Sequence, residues 1–308
     1  MASTLVTCAD TAARPGSPSA GDAVYQVDTK QVIVYDGSVW RAYDSDGTGG
    51  YDLDGTNVLA AAPLFHFDAG FINGVDASGN PGNGVSFTGQ WTSKVGGKTT
   101  VAQGTAASQP VYYTSGENSK PYLDFDGTDD FLDLTTREYC GSDLTVLIIA
   151  KAETNGEFGI IGTYGADGAD HGTGAFVLGG DGIFYGYSSA GVLLYFSSAA
   201  NGYISPTTHA TGKDFSSETR SVIYTKTASG GTCYIDGNNA SSPGTSANAR
   251  DTRFGRIGHA RVNKFDGALY EIALFNSALS TTDLNAWGTY VTTKYGAGGS
   301  GMESQTSF

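Results

Sequence analysis

The sequence predicts an all-β protein. It would be a two-sheet jelly-roll sandwich with one C-terminal helix, preceded by a small N-terminal three-stranded β-meander. Three observations lead there. Short runs rich in Val, Ile, Tyr and Phe recur along the 308 residues, and Asp-Gly pairs stand between many of them. A single stretch near the end switches to helical spacing. The composition agrees: 45 Gly, 18 Tyr and 15 Phe against 2 Met suit many short strands joined by tight turns.

Residues 1–45 hold the meander. ARPGSPSAGDAVYQVDTKQVIVYDGSVWRAY (13–43) contains three short apolar runs separated by turn residues. Residues 46–62 (DGTGGYDLDGTNVLAAA) read as a Gly- and Asp-rich linker. Residues 63–296 form the sandwich, with strand candidates at 64–67, 122–125, 131–134, 144–151, 158–164, 175–180, 182–188, 192–197, 220–227, 231–237, 254–258 and 267–276. Asp126-Gly127, Asp181-Gly182, Asp236-Gly237 and Asp266-Gly267 are expected turns, since both residue types tolerate positive φ. In LSTTDLNAWGTYVTTKYGAG (279–298), Ser280 and Asp283 form a capping-box pattern, with Leu279 and Leu284 placed as a staple. Leu284, Trp287 and Val291 recur at helical spacing and Tyr295-Gly296 supplies a stop. Residues 297–308 are a Gly/Ser tail expected to be flexible.

The formal charge of −14 makes phosphate backbones poor partners, so no nucleic acid is expected. Cys8, Cys140 and Cys233 are odd in number and widely spaced, which fits small buried or partly exposed thiols rather than a disulfide framework or a metal set. The N-terminus lacks a basic region followed by an apolar core, and the longest apolar run, LTVLIIA, is too short to span a bilayer. The chain is therefore expected to be soluble and made in a cytoplasm, with no membrane partner.

Residues 264–296 (KFDGALYEIALFNSALSTTDLNAWGTYVTTKYG) resemble the last strand and helix of concanavalin A-like, laminin-G-type jelly rolls. LFHFDAG (64–70), GQWTSKVGG (89–97) and SQPVYYTSGENSKPYLDFDGTDDFLDL (108–134) follow the order seen in such domains of microbial and phage proteins. The opening segment is similar to short modules of tailed-phage virion proteins such as tail fibres. It carries Arg14, Pro15, Pro18, Gly21, Tyr25, Asp28, Thr29, Ile33, Tyr35, Gly37 and Trp40 at the matching positions. The resemblance implies a virion surface protein made in the host cytoplasm: a capsid decoration (head fibre, knob or cement) or a short tail appendage. Its partners would be other virion proteins and copies of itself. A carbohydrate-binding tail-fibre adhesin for host-surface glycans is the alternative.

The meander is apolar on both faces, and so short a sheet cannot offset its own conformational entropy with a private core. Cover is expected from the jelly roll, from a second copy or from another virion protein. The docking candidates are Val24, Tyr25, Val27, Val32, Ile33, Val34, Tyr35 and Trp40.

No catalytic pattern is visible. Retaining glucanases on this scaffold place Glu-x-Asp-x-x-Glu on one strand, and that motif is absent. Of the seven glutamates, Glu271 alone lies in a convincing strand, and it is expected at a surface or rim. His66, His171, His209 and His259 are far apart in sequence. The chain is expected not to be an enzyme and to require no cofactor. Two acidic loops offer oxygens for Ca2+: Asp52, Asp54 and Asn57, and a denser set at Asp124, Asp126, Asp129 and Asp130. The competing account is that these residues only form turns. Tyr185 and Tyr187 alternate on one strand face and are glycan-binding candidates; core packing accounts for them equally.

Overall fold

The structure is a computed structural model. It describes residues 6–9, 13–19, 22–26, 31–35, 40–43, 51–95, 99–140, 143–153, 157–162, 182–188, 191–198, 202–204, 218–227, 230–239, 252–260 and 263–296. The chain divides into two compact units, Met1–Ala62 and Pro63–Phe308.

The first unit holds a four-stranded sheet in the order Val6–Cys8, Ala23–Gln26, Gln31–Tyr35, Trp40–Tyr43. The last three form the expected meander. The first is an addition that pairs parallel to Ala23–Gln26, setting Val6 opposite Val24. Parallel pairing needs a long crossover, here the Pro-containing segment 9–22, which gives no local strand signal. Cys8 and Val24 are buried together. The segment expected as a linker contains a hairpin, Tyr51–Asp52 with Val58–Leu59, whose Leu53 and Leu59 are buried.

The second unit is a two-sheet sandwich. One sheet runs Asn238–Asn239, Gly230–Ile235, Arg220–Thr227, Leu144–Ala152, Asp266–Phe275, Tyr122–Asp126, Val111–Tyr113, Val85–Ser86; Phe65–Asp68 also pairs with Asp266–Phe275. The other runs Gly202–Ile204, Gly191–Ser198, Gly182–Ser188, Glu157–Gly162, Thr252–Ile257, Leu132–Cys140, Thr100–Ala102, Gln90–Thr92. Leu144, Val146, Ile148 and Ala150 alternate into the core with Phe65, Phe67, Trp91, Leu123, Phe125 and Ile272. Leu147 and Ile149, on the opposite face, are buried as well. That double burial explains why this strand is a continuous apolar run rather than an alternating one.

The cover on that opposite face is the helix Thr281–Tyr295, the one α-helix among the described residues, and no described helix is long and apolar enough to cross a membrane. Ser280 accepts from the Asp283 amide, the Asp283 side chain returns to the Ser280 amide, and Gly296 ends the helix at φ 89°. Asp236-Gly237 is a two-residue hairpin turn with φ 48° and 76°. Asp266-Gly267 is not a turn. Both residues lie inside the strand Asp266–Phe275, where a Cβ on Gly267 would stand 2.1 Å from the Lys151 carbonyl oxygen. The candidate strand at 175–180, residue Asp181 and the tail 297–308 lie outside the described residues.

Candidate functional site

The sequence-derived candidates are scattered. Of the docking set, Val24 is buried, while Tyr25 and Tyr35 are half-buried. Val27 lies outside the described residues, as do the side chains of Val32, Ile33, Val34 and Trp40. The backbone register sets Val24 opposite Ile33, Tyr25 opposite Val32 and Tyr35 opposite Trp40. Tyr185 and Tyr187 lie in the strand Gly182–Ser188, paired with Leu194 and Val192; their side chains too lie outside what is described.

In the loop Asp52–Asn57 the carboxylates serve the turn. Asp52 Oδ1 accepts from the amides of Asp54 and Gly55, and Asp54 Oδ1 from those of Thr56 and Asn57. At the second loop Asp126, Asp129 and Asp130 bring carboxylate oxygens within 4.8 Å of one another. Here also Asp126 Oδ1 accepts from the Thr128 and Asp129 amides, and Asp130 Oδ2 from the Asp126 amide. Burial, with neighbouring carboxylates adding to it, pushes Asp124 and Asp130 up to about 6.

The densest polar assembly lies under the helix; the sequence draws attention to two of its members, Glu271 and His66, without placing them together. Glu271, expected at a surface or rim, is 0 % exposed. A bulge puts it there: Ile149 pairs with Glu271 and Ala150 with Leu269, so Tyr270 is the extra residue of the strand. His66 and Asp68, from the neighbouring strand, share the helix-facing side; the alternate residues Phe65 and Phe67 enter the core. From the helix, Tyr290 donates to Glu271 at 2.8 Å and Tyr295 donates at 2.7 Å. Lys294 pairs with Glu271 and, at 2.6 Å, with Asp68. Lys94 stands 3.6 Å from Asp68, and His66 Nε2 lies 2.9 Å from Glu271 Oε2.

The charges are self-consistent. Burial pushes the Glu271 carboxyl up, but Lys294, His66 and Lys94 outweigh it and hold it well below the usual carboxylate range. Burial pulls Lys294 down, yet the carboxylates of Glu271 and Asp68 outweigh it and keep the ammonium charged. Burial is also the largest effect on His66 and lowers it, so its imidazole is neutral at pH 7. A carboxylate only accepts, so the His66 proton must sit on Nε2. The His66 and Glu271 side chains are fully buried and the cluster ties helix to sheet as an ionic latch. The available signal was Lys294, four residues after Tyr290 on the helix side that carries Leu284, Trp287 and Val291.

The fold and these sites define a jelly-roll β-sandwich whose C-terminal helix is locked by a buried ion network. No protein family and no curated protein matches the chain. Among solved structures, domain 4 of AbnA, a GH43 extracellular arabinanase from Geobacillus stearothermophilus, in complex with arabinotriose, is similar at TM-score 0.42 and 15% identity, over 71% of this chain and 94% of that one. A sialidase from Trypanosoma rangeli is similar at 0.42 and 12%, over 72% of this chain and 32% of that one. A heptameric SAP-like pentraxin from Limulus polyphemus is similar at 0.42 and 14%, over 60% and 87%. At these scores no residue role and no activity passes to this chain.

Proposed function

We propose that this chain is a non-enzymatic structural protein of a tailed-phage virion, made in the host cytoplasm. It attaches through its N-terminal unit and displays a lectin-like jelly roll at the particle surface, as a capsid decoration or a short tail appendage. The observation that carries the reading is the separate N-terminal unit. Its sheet has strands of three to five residues, and among the described side chains only Cys8 and Val24 form its sheet core. So small an element gains stability by docking. The sequence pattern from Arg14 to Trp40, similar to virion modules, names the kind of partner. Burial of Glu271 supports a non-enzymatic reading, because the one glutamate in a convincing strand is committed to the latch. Deleting residues 1–62 is expected to leave a folded β-sandwich that is absent from purified particles. Normal incorporation of the truncated chain would overturn the reading.

A further inference from the structure

We propose that the outer face of the first sheet, at Tyr113, Tyr122, Asp124 and Glu153, is a binding site for a neutral pyranose glycan. This deepens the lectin-like half of the proposed function and is independent of the attachment half.

The argument begins with register. Leu123, Phe125 and Tyr112 point into the core, so Tyr122, Asp124, Val111 and Tyr113 lie on the opposite face. Cross-strand pairing then lays that face out in three rows. Tyr270, Tyr122 and Tyr113 form the first, with Tyr113 opposite Tyr122. Lys151, Ala268, Asp124 and Val111 form the second. Asp266 and Asp126 pair in the third, and the Glu153 amide donates to the Asp266 carbonyl beside them.

The tyrosine row is a rigid platform. Tyr113 stacks on Tyr122 with centroids 5.1 Å apart and planes 18° apart. Tyr122 leans on Tyr270 at 5.3 Å, and Tyr270 in turn meets Tyr295 edge-on. The Tyr270 hydroxyl is fixed by the Glu117 amide at 3.0 Å. Two-torsion aromatic side chains held in this way lose little freedom on binding. The row is open at its outer end. Beyond Tyr113 the chain passes through Gly84, whose amide donates to the Tyr112 carbonyl and where an added Cβ would meet nothing within 4 Å. Tyr113 thus offers the face turned away from Tyr122, and a pyranose ring presents an apolar C–H face of matching size.

The second row supplies the polar contacts. In that row Ala268 presents only a methyl, with Lys151 on the strand to one side of it and the carboxylate-bearing Asp124 on the strand to the other. Asp124 Oδ1 is buried without a hydrogen-bond partner, an acceptor left unsatisfied on this face. Glu153 is exposed and adds a second carboxylate near both Tyr122 and Asp124. Charge decides the ligand class. With Asp124, Asp126, Glu153 and Asp266 on the patch and −14 on the chain, sialylated, sulfated and uronic glycans are repelled.

Calorimetric titration of the intact chain tests this, with maltohexaose, cellohexaose and mannohexaose as neutral probes and with 3′-sialyllactose and hexalysine as controls. At least one neutral hexasaccharide is expected to bind, with shifts in NMR spectra mapping to residues 111–113 and 122–126. Tyr113→Ala should weaken it at least tenfold, Glu153→Gln at least threefold, and Tyr113→Trp should retain it. Unfolding curves of each variant report its fold, and the shift map serves independently of any variant. No binding by the neutral probes, shifts elsewhere on the surface, binding unchanged in Tyr113→Ala, or preference for a control would each overturn the proposal. Tyr113→Ala should still enter particles, so failure of this site is distinguishable from failure of the attachment reading.

Discussion

Replacing Glu271 with Gln tests the latch under the helix with almost no change in shape. Four side chains converge on this carboxylate: His66, Tyr290, Tyr295 and Lys294. The single carbonyl oxygen of Gln accepts from two of them, and its amide faces the rest, where Lys294 can only donate and a tyrosine hydroxyl or the His66 ring must turn from donating to accepting. At least two buried donors then lose their acceptor, at about 1–3 kcal/mol each. Lys294 keeps Asp68 as a partner, which moderates the loss. Breaking a buried pair from one side costs about 3–5 kcal/mol, in agreement with that sum. At about 2–4 °C per kcal/mol for a unit of this size, Tm should fall by about 6–20 °C. Urea unfolding followed by tryptophan emission is a suitable assay, since Trp287 sits edge-on to His66 at 6.1 Å and Trp91 is in the core. Lys294→Met should destabilise by a similar amount. The double variant should lose less than the sum, because the two groups share one interaction. A Glu271→Gln loss below about 1 kcal/mol with unchanged slope, against the 3–5 kcal/mol of a broken buried pair, would refute the latch.

Two further outcomes follow from burial and sterics. Asp124 and Asp130 are pushed up to about 6 from 3.8, so the folded chain binds more protons than the unfolded one between those values; their contribution to stability falls as pH rises through about 4 to 6. Glu271, held low, acts in the opposite sense, its contribution being present above about 4.5 and lost as pH falls. Carboxyl NMR titration should show Asp124 and Asp130 midpoints near 6, and Asp124→Asn should gain stability relative to the native chain on going from pH 4 to pH 7; midpoints near 3.8 would contradict the burial account. Gly267→Ala should cost about 2–6 kcal/mol in urea unfolding, combining φ of 146° with a Cβ 2.1 Å from the Lys151 carbonyl oxygen. A stability close to native would show that this strand can shift away from its neighbour.

Local chemistry was written plainly in the residues. Ser280 and Asp283 cap the helix from three residues apart, Gly296 stops it, and Asp236-Gly237 closes a hairpin. Each of these interactions is complete within about four residues of chain, so the sequence alone determined them, together with the alternating strands of the sandwich. The pairing of distant segments left no such trace. Strands of two or three residues, such as Val85–Ser86, Gln90–Thr92 and Val111–Tyr113, exist because a neighbour offers them a ladder. The parallel strand Val6–Cys8 exists for the same reason. Glu271 meets His66 across 205 residues of sequence and Lys294 across 23. A one-residue bulge after Leu269 decides that it faces the helix instead of the sandwich core. The row Tyr270–Tyr122–Tyr113 likewise arises only when three strands align in one register. Tertiary structure decided these sites because burial and charge pairing depend on which distant residues share a face, and a linear sequence does not state that.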